Sequence, residues 1–577
     1  MTMLTKWGAA LDRSCPLPEY PRPQLRRESF YNLNGVWDYA VTPSGDEPEV
    51  WDGEIVVPFS PEAPLSGAAR GPAKDEYLHY RRGFTLPEGF QKTRVLLHFG
   101  AVDQIAEVFV NGVSAAKHSG GYWPFSVDIT SLLREGENIL RVMVRDNADD
   151  PTFAYGKQRY KRGGMWYTAQ SGIWQTVWLE SVPEVYVKSL RITPEFDEAR
   201  VRIELETALE SSAAITCDVR AADGSFVAGS WAKGGVCVVP LPGFRAWTPD
   251  DPYLYTLDIS CGEDRVESYF AMRKFSYVEL DGHKVFGLNN APLFHNGLLD
   301  QGYYPDGLLT PPSDEAMVND IETMKRCGFN MLRKHIKIEP LRWYYHCDRL
   351  GMIVWQDMVS GGQPYSFLHV SALPTLGKVD LPDQDAKPYG RSGVLSRARF
   401  RREMADTVRL LYNCPCIALW TVFNEGWGQF DALDMANELK KLDPTRFIDH
   451  ASGWQDQGYE EMKSRHIYFR PVKLKNDGRA LALTEYGGYI LAVDGHRWTD
   501  KVFGYRICRD SAALAHDYEK LMLGQVLPHI RKEGLTAAVY TQITDVEEEL
   551  NGLMTYDREV LKIPEETLRE INKQLKF

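Results

Sequence analysis

A chain of 577 residues is longer than one hydrophobic core usually supports, so about two to four domains are expected. A formal net charge of -13, from 66 Lys and Arg against 79 Asp and Glu, argues against the concentrated basic surface that nucleic acid or an anionic membrane requires. No span of about 18 apolar residues marks a membrane helix, and the opening MTMLTKWGAALDRSCPLPEY lacks the apolar run of a secretory signal. Nine cysteines, an odd and scattered set without a CxxC pair, suit reduced thiols in a cytoplasm. Cys414 and Cys416 flank Pro415, but no second Cys or His pair stands nearby to complete a zinc site.

In chain order, residues 31–180 read as short alternating strands such as RVLLHFGAV, QIAEVFVNG and NILRVMVRD, broken by Gly, Asn and Asp. That pattern predicts an antiparallel β-sandwich. A second strand-rich stretch, with ARVRIELETAL and YLYTLDIS, has the length of an immunoglobulin-like sandwich. After Ser276 the rhythm changes to apolar strands alternating with amphipathic helices, the sign of parallel βαβ units. Candidate strands fall at 293–297, 330–333, 352–356, 417–423, 447–450, 466–469, 481–485 and 537–542. The stretch SDEAMVNDIETMKRCG reads as a helix opening near Ser313 and stopping at Gly328. The expected architecture is therefore two all-β sandwiches (1–182 and 183–275) followed by a (β/α)8 barrel (276–577).

Chemistry in such a barrel sits where strands end at the C-terminal face. An apolar run closes there in Asn424-Glu425 before a Gly-Trp-Gly turn, and another closes in Thr484-Glu485 before Gly487-Gly488. One strand-end glutamate reads most simply as a cap or a solvated loop residue. Two, on separate barrel strands, form the pair that glycosidic bond hydrolysis needs: a proton donor for the leaving oxygen and a carboxylate at the anomeric carbon. Trp427 could wall the acid or stack on a sugar face, and 15 Trp and 29 Tyr give further candidates for such stacking. Other strand-end groups could line a glycone pocket: Asp300, Arg333, His335, Asp357, His450, Tyr468, Tyr540 and Gln542. Each alone reads equally as structural, and His466 could orient Tyr468 or fill a core gap.

The stretch Asn413-Cys414-Pro415-Cys416 followed by IALWTVFNE resembles the acid/base signature of glycoside hydrolase family 2, and LTEYGG resembles its nucleophile strand. YPRPQLRRESFYNLNGVWDY, FVNG, WTPDDPYLYTL and VYTQITDVEEELNGLMTYDR also look like segments of that family, so the resemblance covers most of the chain. It implies a jelly-roll domain, an immunoglobulin-like domain and a barrel. It further implies Glu425 as acid/base, Glu485 as nucleophile and Asn424 as donor to the sugar 2-hydroxyl. Cys414 and Thr421 depart from the usual residues, and Arg333-Lys334-His335-Ile336 replaces the family's Arg-x-x-His-Tyr-Pro pattern.

The expected activity is a retaining exo-β-glycosidase, β-galactosidase-like by family base rate. The Asn-x-Lys motif by which family β-glucuronidases hold the glycone carboxylate reads Glu549-Leu550-Asn551-Gly552 here, without the lysine. A hexuronidase stays open if Arg333, Lys334, Arg470 or Arg497 pairs with that carboxylate. A non-catalytic carbohydrate-binding protein is the third reading. No organic cofactor is implied, and no sequence cluster supports a metal. The expected partners are small glycosides and further copies of the chain, as a dimer or tetramer. The loop 359–391 is the expected seat of aglycone selectivity.

Overall fold

The computed structural model describes residues 3–209, 214–376 and 380–577; of the loop 359–391, residues 377–379 lie outside this set. Among the described residues, no helix is long and apolar enough to cross a membrane.

The first part folds as two facing antiparallel sheets. The six-stranded one runs in the order Gly53–Val57, Gly35–Thr42, Tyr77–Thr85, Glu137–Arg145, Ile105–Val110, Val113–Ser119. The four-stranded one pairs Tyr31–Asn32, Val177–Val182, Arg94–Phe99 and Phe125–Asp128. Period-two alternation drives the packing: in Glu137–Arg145, Leu140, Val142 and Val144 face inward onto Val95, Leu97 and Phe99 in one apolar core. The next part carries a three-stranded sheet (Val187–Glu195, Arg200–Thr207, Val236–Pro240) against a four-stranded one (Phe226–Ala232, Ile215–Arg220, Tyr255–Cys261, Asp264–Phe270). This three-on-four arrangement is that of an immunoglobulin-like sandwich.

The remainder is a nearly closed barrel of eight parallel strands. In chain order they are His295–Asp300, Met331–Lys334, Ile353–Asp357, Ile417–Thr421, Phe447–Asp449, Met462–Ile467, Ala480–Gly487 and Leu535–Thr541. Ladders join them in the order 5-4-3-2-1-8-7-6. Strands five and six share no ladder, and Ser464 bridges the seam by donating to Asp449 Oδ1 at 2.9 Å and to the Ala451 carbonyl at 3.1 Å. The first and sixth strands differ from expectation. Ala291–Pro292 pairs with His283–Leu288 as part of a small antiparallel sheet, so the first barrel strand starts later and ends at Asp300. The sixth begins at Met462 because its Lys463 and Arg465 lie on a half-exposed face, while Phe469, which drew the expected strand further, is 70% exposed.

The predicted helix is Asp314–Arg326, with the Ser313 hydroxyl accepting from Ala316 N and Gly328 left-handed just beyond its end. One end of the barrel is plugged: Phe286 stacks on Phe447 with ring centroids 4.2 Å apart, and its backbone N–H donates to Thr536 Oγ1 at the start of the eighth strand. That leaves the opposite, C-terminal face for chemistry.

Candidate active site

Glu485 lies in the seventh strand and Glu425 four residues beyond the end of the fourth. One oxygen of each, together with a ring nitrogen of His466, lie within 4.8 Å of one another. Glu425 adopts a left-handed backbone, φ 55°, which non-glycine residues reach only when neighbours fix them. Those neighbours are Ser452, whose carbonyl accepts from Glu425 N at 2.9 Å, and Trp454, whose indole N–H donates to the Glu425 carbonyl at 2.9 Å. The Glu425 side chain is 23% exposed and the Glu485 side chain 7%, so the first faces solvent or substrate and the second lies deeper.

Donors hold both oxygens of Glu485. Arg333 Nη1 donates to Oε1 at 3.1 Å and the Tyr468 hydroxyl to Oε2 at 2.5 Å. Tyr468 is fixed in turn by Thr541 Oγ1 at 3.0 Å and by stacking on Tyr505, centroids 3.9 Å apart. Arg333 is fully buried. Its Nε and Nη2 fork onto Asp357 at 3.0 and 3.1 Å, Nη1 also reaches the Thr484 carbonyl at 3.0 Å, and Nη2 donates to Asn424 Oδ1 at 2.8 Å. All five of its N–H groups are thus engaged inside the protein, leaving none for a sugar. Where a direct contact of Arg333 with substrate was expected, the structure shows its donors turned to Asp357, Thr484, Glu485 and Asn424. Burial pushes the Asp357 carboxyl up, but Arg333 and His335 hold it down at about 2. His335, whose Nδ1 lies 2.7 Å from Asp357 Oδ2, is pushed down by burial despite that partner.

Glu425 contrasts with this. Burial raises its pKa, and the charges of Lys157, His335 and Arg333 offset only part of the rise. His466 Nδ1 lies 2.8 Å from Glu425 Oε1, while Nε2 faces Arg333 Nη1 at 3.4 Å and Ser452 Oγ at 3.2 Å. Burial depresses His466 to about 3, so the ring is neutral. A guanidinium facing Nε2 disfavours a proton there, so Nδ1 carries it and donates to Glu425 Oε1, while the Ser452 hydroxyl can donate to Nε2. Oε2 of Glu425 is left free. Folding therefore creates a possible ligand cluster, Glu425, His466 and Glu485, that the sequence did not show. The Arg333 guanidinium stands against this cluster, its Nη1 3.1 Å from Glu485 Oε1 and 3.4 Å from His466 Nε2.

Other candidates fall apart by location. Asn424 is buried at the site, and Arg333 on its Oδ1 leaves Nδ2 free to donate. Trp427 is buried with its indole N–H unpartnered, packed edge-on against Trp166 at 5.1 Å. Asp300 is committed to Lys334 Nζ at 2.6 Å, and Lys334 also to Glu339 at 2.8 Å. Gln542 accepts from Gln301 at 2.9 Å and donates to Asn551 at 2.8 Å. Tyr540 does not line a pocket. Its neighbours on the strand, Ala537 and Val539, fill the barrel interior, so alternation turns Tyr540 outward against Tyr486 and Tyr518. Gly487 is required there, because a Cβ would lie 2.2 Å from the Tyr540 ring. His450 turns away to Asp456, 3.3 Å from its Nε2. Arg470 is exposed, and Arg497 is tied to Asp494 at 3.2 Å. A cavity of about 470 Å³ between the first sandwich and the barrel, lined by Arg22, His98, Trp178 and Arg342, contains neither glutamate.

Lys157 and Tyr505 are not legible in the sequence, and Glu549 reads there only as standing where a lysine is usual. Lys157 lowers both Glu425 and Glu549 against their burial-driven rise, and burial together with the charges of Glu425, Glu549 and Glu485 raises Tyr505.

Two β-sandwiches and a parallel barrel bearing paired strand-end carboxylates define a class of carbohydrate-active barrel protein. Three family descriptions match in chain order: "Glycosyl hydrolases family 2, sugar binding domain" over residues 64–183, "Glycosyl hydrolases family 2" over 185–273, and "Glycosyl hydrolases family 2, TIM barrel domain" over 311–474. The chain belongs to glycosyl hydrolase family 2. It is 25% identical over 387 residues to a β-galactosidase of Thermoanaerobacter pseudethanolicus, covering 64% of this chain and 47% of that one. A Halalkalibacterium halodurans β-galactosidase is 23% identical over 502 residues, covering 79% and 45%. The chain thus spans about half the length of these relatives. Among solved structures, a β-D-glucuronidase from Dictyoglomus thermophilum superposes with a TM-score of 0.74 at 18% identity, covering 96% of this chain and 99% of that one. A β-galacturonidase from Eisenbergiella tayi gives 0.70 at 19%, covering 96% and 98%. These likenesses are of fold.

Proposed function

We propose that the chain is a retaining β-glycosidase that releases a terminal β-linked sugar, with Glu485 as nucleophile and Glu425 as acid/base. The observation that carries this reading is the approach of the two carboxylates to within 4.8 Å. Retaining sites hold the pair about 5–5.5 Å apart, whereas inverting sites open to about 6.5–9.5 Å to admit a water. In the first step Glu485 attacks the anomeric carbon while Glu425 gives its proton to the departing oxygen. In the second, Glu425 takes a proton from water, which displaces Glu485 from the glycosyl ester. The raised pKa of Glu425 suits a group that must begin protonated, and Arg333 with Tyr468 aims Glu485. Asn424, held by Arg333, presents Nδ2 to the sugar 2-hydroxyl.

The test is the stereochemistry of the first product. Proton NMR during hydrolysis of a nitrophenyl β-glycoside is expected to show the β-hemiacetal before mutarotation; an α-hemiacetal would overturn the retaining mechanism. Glu485→Ala is expected to abolish turnover, and full activity in that variant would overturn the nucleophile assignment. The galactoside expectation rests on family base rate alone, and one feature of the pocket favours a charged glycone instead.

A further inference from the structure

Four residues expected to serve a glycone carboxylate are accounted for elsewhere. Arg333 has every N–H engaged, Lys334 sits between Asp300 and Glu339, Arg470 is exposed and Arg497 is bound to Asp494. The loop after the eighth strand, at Glu549-Leu550-Asn551, offers a carboxylate and an amide in place of a lysine.

The first sandwich supplies what the barrel lacks. Its loop 154–168 is locked onto the barrel mouth from three sides. Tyr155 N and Gly156 N donate to the Ser360 carbonyl at 3.1 and 2.9 Å, Thr168 N donates to Glu547 Oε1 at 2.8 Å, and the Tyr167 hydroxyl donates to Glu549. Gly156, φ 64°, packs so close to the Ile336 carbonyl that a Cβ would stand 2.9 Å from it. The next residue is Lys157. It is half-buried, and among the described residues no carboxylate lies within 4.0 Å of its Nζ. Its ammonium is 5.8 Å from the Trp166 ring, which packs on Trp427, whose buried indole N–H has no partner. Among the described residues, an ammonium with no carboxylate within 4.0 Å and an indole donor with no acceptor thus flank Trp166, and Trp427 lies two residues from Glu425.

The charge of Lys157 is felt across that pocket. It is the largest influence opposing the burial-driven rise of both Glu425 and Glu549. The same short segment carries Arg159, Lys161 and Arg162 and no acid, but Arg159 is paired with Asp149 at 3.7 Å and Arg162 with Glu547 at 3.4 Å, whereas Lys157 has no such partner among the described residues. A half-buried cation kept without a counter-ion is costly unless a ligand provides one.

We propose that Lys157 is a specificity-determining residue that pairs with a carboxylate on the glycone, so that the preferred substrates are β-hexuronides. The proposal rests on the glycosidase reading above. Lys157 comes from the first sandwich and still acts on Glu549, in the loop after the eighth barrel strand.

The experiment compares kcat/KM for nitrophenyl β-D-galacturonide and β-D-glucuronide with the matching neutral galactoside and glucoside, in wild type, Lys157→Met and Lys157→Arg, with melting temperatures as a folding control. Wild type is expected to favour one uronide over its neutral counterpart. Lys157→Met should lower that ratio about 10- to 100-fold, the effect of losing one charge-assisted contact, and Lys157→Arg should recover part of it. Preference of the wild type for neutral glycosides, or equal losses on both substrate types in Lys157→Met, overturns the proposal and leaves the glycosidase reading standing. Turnover of no β-glycoside at all overturns both.

Discussion

His466 places one ring nitrogen toward each proposed catalytic carboxylate, Nδ1 at 2.8 Å from Glu425 Oε1 and Nε2 at 3.6 Å from Glu485 Oε1. In the proposed mechanism it would be a positioning group, orienting Glu425 and separating it from Glu485. His466→Ala is expected to lower kcat about 10- to 100-fold, the scale of one hydrogen bond to a charged partner, with a smaller change in KM. A dinitrophenyl leaving group, which needs little protonation, should narrow the loss. An equal loss with both leaving groups would contradict a role in orienting the acid.

Arg333 joins Asp357, Asn424, Thr484 and Glu485 through one guanidinium. Arg333→Met leaves Asp357 and Glu485 buried without their counter-charge, a type of change that costs about 3–5 kcal/mol. The melting temperature should fall and activity should collapse. Arg333→Lys should restore little of either, because an ammonium cannot reproduce the fork onto Asp357. Near-wild-type stability of Arg333→Met, measured by thermal or denaturant unfolding, would show that the network is dispensable.

If Glu425 is the acid, as proposed, it must be protonated to act, so kcat/KM should fall as pH rises through its burial-raised pKa. A nearby cation favours the charged carboxylate and lowers that pKa; removing one must raise it. Lys157→Met is therefore expected to move the alkaline limb of the pH profile to higher pH on a neutral glycoside. A limb that stays in place or moves down would place Lys157 electrostatically remote from Glu425.

In the first sandwich, burial raises Glu62 and Asp103 to about 7 each. A carboxyl whose folded pKa exceeds its unfolded value favours the fold while protonated. That contribution is complete below the unfolded pKa near 4 and disappears as pH climbs to about 7. Stability should decline across that window. Glu62→Gln, which keeps an acceptor for one of the two Ser171 donors on Glu62, the hydroxyl or the backbone N–H, should flatten the decline and raise the melting temperature at pH 8 by about 2–4 °C. A variant melting lower than wild type at pH 8 would refute this.

Much of the architecture was legible because periodicity is local. Alternation in Glu137–Arg145 and the helical spacing of Asp314–Arg326 are properties of single segments, and Glu425 and Glu485 each announced themselves by closing an apolar run before glycine. What escaped was long-range. Lys157 lies 268 residues before Glu425 in sequence, in a loop whose basic character reads as ordinary surface until the first sandwich docks on the barrel. Tyr540 shows the opposite error: position near a strand end suggested a pocket residue, and the parity of the strand turned it into the helix layer. Arg333 was found but its job was not, since only the folded chain reveals that five donors already have acceptors.

The docking of loop 154–168 across Ser360, Glu547 and Glu549 has a thermodynamic corollary. If the pocket wall belongs partly to the sandwich, a molecule bound there has affinity only for the docked arrangement. Its occupancy then holds the two parts together by mass action, by RT ln(1 + [L]/Kd) for a single site. Ligand then adds, as its concentration rises, to the packing of Tyr122, Tyr155, Tyr167 and Trp174 that already ties the amino-terminal sandwich to the barrel.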